Sequence, residues 1–125
     1  MVVFDSSIII EALRKEKTTL DLLESYSKKE QIAITIASKY EILRGTTEKN
    51  VDLVSEFLNQ FVIYNFEEYA IAEIVKAYKK LKTRGKMVNE LDIIIAGIVA
   101  ANNETLITRD RDFLNFESPK IIVLT

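Results

Sequence analysis

The sequence predicts an α/β fold, a three-layer α/β/α sandwich around a central, mostly parallel sheet of about five short strands. Three observations lead there. Five short runs of β-branched, aromatic and aliphatic residues recur along the chain, mostly apolar rather than alternating, as in strands covered on both faces. The segments between them space apolar residues at i, i+3 and i+4, with charged residues on the opposite side. Finally, the 125-residue chain contains only 3 glycines and 1 proline, which leaves little room for linkers, so we expect one domain over 1–125.

The first strand is read at 2–4. It runs into Asp5, Ser6 and Ser7, residue types favoured at helix N-caps, so a helix should follow directly. In the next segment, 18–29, Leu20, Leu23 and Tyr26 fall on one side of a second helix. A strand at 32–34 leads into "ITIASKYEILRG", where Thr35 can cap a helix that Gly45 ends. On an ideal wheel Ile36, Tyr40 and Leu43 share one face of that helix, and Glu41 flanks it beside Ala37. A helix at 52–61 precedes a strand at 62–64. The segment 67–81 follows, with Ala70, Ile74, Ala77, Tyr78 and Leu81 in a stripe opposite Glu73, Lys76, Lys79 and Lys80. The run 93–101 is apolar nearly all round, as in a helix packed inside the fold. Gly97 weakens it, so close packing against a neighbour is expected there. Asn102 and Asn103 end it, and strands at 105–108 and 121–124 complete the sheet.

The composition excludes several chemistries. With no histidine and no cysteine, Ser-His-Asp and Cys-His nucleophilic machinery is absent, as is every usual zinc ligand set. Acid–base or metal chemistry must then run on carboxylates, hydroxyls, lysines or tyrosines, and oxygen ligands suit Mg²⁺ or Mn²⁺. A net charge of −2 argues against a broadly basic nucleic-acid-coating surface, though not against a local basic patch. The longest apolar run is far shorter than the ~20 residues of a membrane helix. No basic segment precedes the N-terminal apolar residues, and no disulfide framework exists, so a cytoplasmic protein is expected.

Each acidic candidate has an ordinary explanation when taken alone. Asp5 sits where a helix cap belongs, although Ser6 and Ser7 already offer caps. Glu41 has Arg44 three residues on as an ion-pair partner. Asp92 opens the apolar helix, where the helix dipole favours a carboxylate, but so much buried surface beside it makes an unpaired charge costly. Asp110 and Asp112 lie in "TRDRDF", a turn by default. Asp110, however, shares its structural position with Asp5, just past the carboxyl end of a strand. In open α/β sheets ligands bind there, where the strand order reverses. If those two strands are neighbours, the carboxylates converge, and acids brought that close need a cation.

These stretches together, "DSS" at the N-terminus, "ITIASKYEILRG", "LDIIIAGIVAANNETLITRDRDF" and a last strand, closely resemble the PIN-domain family, and more narrowly its VapC toxin ribonucleases. The resemblance spans the whole chain. It implies a Mg²⁺- or Mn²⁺-dependent endoribonuclease whose acids map to Asp5, Glu41, Asp92 and Asp110. Asp5, Asp92 and Asp110 are the expected metal ligands, and Glu41 is a ligand or general base. Ser6, Ser7 and Thr108 are supporting hydroxyls, and Asp112 is a second candidate beside Asp110. Ser7 stands where the family often has asparagine. Basic residues near the crevice would hold the RNA backbone: Arg109, Arg111, Lys39, Arg44, and Lys82, Arg84 and Lys86 of "KTRGK". A small crevice admits single-stranded RNA, of the tRNA or rRNA class, more easily than a duplex. The resemblance also implies a homodimer and a cognate antitoxin, with no membrane association.

Two other enzyme classes fit poorly. A haloacid-dehalogenase-type phosphatase needs an aspartate where Ser7 stands, and a response-regulator receiver needs a central phospho-acceptor aspartate after Tyr64. The remaining alternative is a PIN-like module that binds protein or RNA without catalysis.

Overall fold

A computed structural model describes all residues, 1–125. Five strands, β1 (Val2–Phe4), β2 (Ile32–Thr35), β3 (Val62–Tyr64), β4 (Thr105–Thr108) and β5 (Lys120–Val123), form one parallel sheet in the order β3-β2-β1-β4-β5. β1 pairs with β2 on one side (Val3 opposite Ala33) and with β4 on the other (Phe4 opposite Ile107). The chain therefore builds outward from β1 in one direction, then returns to β1's other edge. The strand order reverses between β1 and β4, which opens a crevice at their carboxyl ends.

The strands are short and apolar because both faces are covered. Val2, Phe4, Ile32, Ile34 and Ile107 point into one buried cluster with Ile8, Ile9, Leu23, Ile42, Val54 and Leu58. These come from α1 (Ser6–Leu13), α2 (Lys17–Ser27), α3 (Ile36–Arg44) and α4 (Val51–Leu58). Val3, Ala33 and Leu106 point the other way, into a cluster with Ile74, Leu81, Ile93, Ile95 and Ile98 of α5 (Ile71–Arg84) and α6 (Glu90–Ala101). The period-two alternation of strand side chains thus feeds two cores, one per face. No helix is long and apolar enough to cross a membrane.

Helix ends follow local chemistry. Thr35 caps α3, its hydroxyl accepting from Ser38 N at 3.1 Å. Asn89 caps α6, accepting from Leu91 N at 2.9 Å. Gly45 does end α3, but at φ −85°, a conformation any residue adopts. Gly85 is the glycine that its turn requires, ending α5 in the left-handed region at φ 65°.

Some boundaries and faces differ from expectation. The fifth strand begins one residue early, at Lys120, and the 67–81 segment starts as a 3₁₀ turn (Glu68–Ala70) before α5. On α3 the buried side is Ala37, Ser38 and Ile42, whereas Tyr40 is 55% exposed beneath the Arg44 guanidinium, 5.1 Å from the ring centroid. A face that packs against α1 and α6 rather than the sheet alone is set by small residues, which the wheel underweights. Leu20 is likewise 38% exposed, while Leu23 carries the packing of α2.

Gly97 sits where α6 meets α5. A Cβ added there would lie 2.7 Å from Ile74 Cα and 2.9 Å from Ile74 N, so backbone would have to move. The crossing of these helices depends on the missing methyl. Gly97→Ala is expected to cost ~1–3 kcal/mol despite alanine's better helix propensity. Chemical denaturation checks this: an unchanged or higher midpoint would contradict the close approach.

Candidate metal centre

The crevice beyond β1 and β4 gathers five carboxylates from four elements. Asp5 follows β1, Asp110 and Asp112 follow β4, Glu41 reaches in from α3, and Asp92 from the first turn of α6. Carboxylate oxygens of Asp92, Asp110 and Asp112 all lie within 4.8 Å of one another. None of the five acids takes part in any of the chain's ion pairs.

Asp5 occupies the N-cap position of α1 but makes no capping hydrogen bond. Its Oδ2 instead accepts from Thr108 Oγ1 at 2.8 Å and from Ser7 Oγ at 3.1 Å. Both hydroxyls are themselves fixed: Thr108 Oγ1 accepts from Asp110 N at 3.0 Å and Ser7 Oγ from Arg109 N at 3.1 Å. One oxygen of Asp5 is therefore locked between the two strand ends. The other, Oδ1, is buried and has no hydrogen-bond partner. A buried, unpartnered carboxylate oxygen beside three clustered acids matches an oxygen-coordinated cation.

The charges repel, and burial amplifies the repulsion. Asp92, 8% exposed, is pushed from its ordinary 3.8 to about 7, first by burial and then by the Asp5, Asp110, Glu41 and Asp112 carboxylates. Burial also raises Asp5, against its hydroxyl hydrogen bonds, and raises Glu41, with Asp5 the next cause. Glu41 Oε1 accepts from Ser6 Oγ at 3.3 Å, so Ser6 steers Glu41 while Ser7 steers Asp5.

The structure thus places Asp5, Glu41, Asp92, Asp110, Ser6, Ser7 and Thr108 in one site. Asp112 lies beside them: Asp110 Oδ1 accepts from Asp112 N at 2.9 Å, capping the 3₁₀ turn Arg111–Asn115 that carries Asp112. The expected Glu41–Arg44 ion pair is absent, since Arg44 lies over Tyr40. The basic residues divide. Arg109 Nε is 3.0 Å from Glu11 Oε2, and its Nη1 donates to the Thr125 carbonyl at 3.2 Å, so it is not free to meet a phosphate. Arg84 donates to the carbonyls of Lys80 and Asn115, clasping α5 to the loop of Asp110 and Asp112. Lys82 lies over Tyr78, 6.0 Å from its ring centroid. Lys86 and Arg111 are exposed and Lys39 half-buried, all three without an ion pair.

Sequence reasoning missed the cluster in which Glu11 also accepts from Thr19 Oγ1 at 2.7 Å. That cluster ties α1, α2 and β4 together behind the acids. Its only sequence signal was alternation: Arg109 follows Thr108 and must leave the strand on the other side.

The PIN domain profile matches residues 2–118, and the chain belongs to the PIN-domain family. It is 31% identical over 96 residues to ribonuclease VapC3 of Methanocaldococcus jannaschii, covering 77% of this chain and 95% of that one. Ribonuclease VapC1 of the same organism is 28% identical over 111 residues, 88% of this chain and 76% of that one. Among solved structures, VapBC2 from Rickettsia felis, bound to a DNA fragment from their promoter, matches at a TM-score of 0.91 with 100% of both chains covered. At 20% identity that likeness concerns the fold.

Proposed function

We propose that residues 1–125 act as a single-domain, Mg²⁺- or Mn²⁺-dependent endoribonuclease, the toxin of a toxin–antitoxin pair, working in the cytoplasm as a homodimer that a cognate antitoxin restrains. The observation that carries the metal reading is Asp5 Oδ1, buried without a partner beside the Asp92, Asp110 and Asp112 carboxylates. The ribonuclease names of the two archaeal relatives support RNA as substrate, and the VapBC2 neighbour supports an antitoxin partner.

Asp5, Asp92, Asp110 and Asp112 are the residues that would hold the cation. When bound, it supplies Lewis acidity toward the scissile phosphate and a more acidic water for in-line attack. Ser7 and Thr108 keep Asp5 Oδ2 engaged, which leaves the unpartnered Oδ1 for the cation. Glu41, raised by burial and held by Ser6, would take the proton of the attacking water. Lys39, Arg44, Lys86 and Arg111 are the cations available to the RNA backbone.

The test is incubation of the purified protein with tRNA and rRNA, with Mn²⁺ or Mg²⁺ against EDTA. Cleavage should require the metal and disappear in Asp5→Asn. Cleavage that ignores EDTA, or an Asp5→Asn variant as active as the wild type, would sink the proposal. RNA binding without any cleavage would instead favour the non-catalytic module.

A further inference from the structure

We propose that Glu11 is a positioning residue for the metal centre: through Arg109 and Ser7 it fixes which oxygen of Asp5 stays free for the cation. The inference rests on the metal reading proposed above and adds a residue that shares no hydrogen bond with the five acids.

Arg109 is the first residue beyond β4, whose pairing with β5 ends at Thr108. Past that point the sheet no longer holds the backbone, yet the next two N–H groups set the geometry of Asp5. Arg109 N donates to Ser7 Oγ at 3.1 Å and Asp110 N to Thr108 Oγ1 at 3.0 Å. A hydroxyl carries one proton. With a lone pair taken by an N–H, each hydroxyl turns its proton to Asp5 Oδ2, at 3.1 Å from Ser7 and 2.8 Å from Thr108. Oδ2 is thus satisfied twice, and Oδ1 is left buried and unpartnered. Whatever keeps residues 109 and 110 from turning therefore decides which Asp5 oxygen is free.

The anchor is the Arg109 side chain. Its Nε lies 3.0 Å from both Glu11 carboxylate oxygens, and the Thr125 carbonyl, 3.2 Å from Nη1, steadies the far end of the guanidinium. Glu11 is fixed in turn: its Oε1 accepts from Thr19 Oγ1 at 2.7 Å, and Thr19 is fully buried on α2. Ser7 and Glu11 are four residues apart on α1, one turn, so they share a face of that helix. That face grips Arg109 twice, by its main-chain N–H at Ser7 and by its guanidinium at Glu11. An ion pair of this exposure, 30% for Arg109 and 21% for Glu11, adds little to stability. What it supplies is placement. Two points fix the orientation of a residue that Ser7 alone would leave free to pivot. Partners of this outer kind set metal affinity by orienting the ligands within.

Calorimetric titration of Mn²⁺ into the metal-free full chain tests this without RNA. Glu11→Ala should weaken Mn²⁺ binding about tenfold, and so should Ser7→Ala. The double variant should be hardly weaker than either single one, because both substitutions break the same relay. Independent structural effects would instead multiply, to about a hundredfold. Glu11→Gln keeps the shape and an acceptor for Thr19 and Arg109, so it should lose less than Glu11→Ala. Paired with Ser7→Ala in the same way, it carries the test should the alanine variant not fold by far-UV circular dichroism. A Kd that neither Glu11 variant moves, or losses that multiply in the double variant, overturns the positioning role and leaves the metal reading standing. A wild type that takes up no Mn²⁺ overturns both.

Discussion

Asp92→Asn is expected to lower metal-dependent RNA cleavage at least ~100-fold and, in EDTA at pH 8, to raise the melting temperature on the order of 10 °C. The two effects come from one cause. Asp92 does nothing for its helix that a neighbour does not already do: Asn89 caps α6. It has no ion-pair partner, is 8% exposed, and shares its crevice with four other carboxylates. The metal-free fold therefore carries the cost of a charge that only a cation offsets. An amide of the same shape removes the charge and keeps the volume. It also removes one of the clustered oxygens that would hold the cation. Stability gained with activity lost is the mark of a residue kept for chemistry rather than folding. Cleavage assays beside thermal melts decide it. A variant that is fully active, or one that melts lower than the wild type in EDTA, would show that Asp92 serves the fold.

Much of this was legible in the sequence because it is local. Short, uniformly apolar strands and amphipathic helices follow from spacing within ten or fifteen residues, and so do the caps at Thr35 and the close approach at Gly97. The site was legible by elimination: a chain without histidine or cysteine that places acids just past two strand ends has few other chemistries. Long-range choices were not. That β1 and β4 are neighbours is a property of strand order, and on it depends whether Asp5 and Asp110 converge. The sharing of the turn by Asp110 and Asp112 depends on a 3₁₀ geometry that a generic turn does not specify. Arg109 looked like a phosphate-binding residue because nothing in "TRDRDF" reveals Glu11, which lies 98 residues away. Tyr40 looked like part of a packed face because aromatic size outweighs Ala37 and Ser38 on a wheel, although small residues let helices approach.

The same cluster makes the metal-free protein's stability fall as pH rises, opposite in sign to a protein held together by paired carboxylates. Asp92 moves from its ordinary 3.8 to about 7 in the fold, so between those values the folded state binds more protons than the unfolded one. Stability is then full below pH 4 as far as this group is concerned, and is lost progressively as pH climbs through 7. Asp5 and Glu41, also raised, act in the same direction. At ~1.4 kcal/mol per pH unit the Asp92 contribution reaches roughly 2–4 kcal/mol, the lower end allowing for water entering the crevice. Cation binding works against this trend, because the acids must be ionised to hold it. A cation at a hundred times its Kd adds ~2.7 kcal/mol, so Mn²⁺ should raise the melting temperature by several degrees at pH 8 and by little at pH 5. In Asp92→Asn both the pH slope and the Mn²⁺ shift should shrink together, since they arise from the same carboxylate. Melts across pH 4–8, with and without Mn²⁺, measure both at once. A wild type whose EDTA stability rises steadily over that range, or whose Mn²⁺ shift is as large at pH 5 as at pH 8, would mean that the five acids are not electrostatically frustrated and that the cation binds elsewhere.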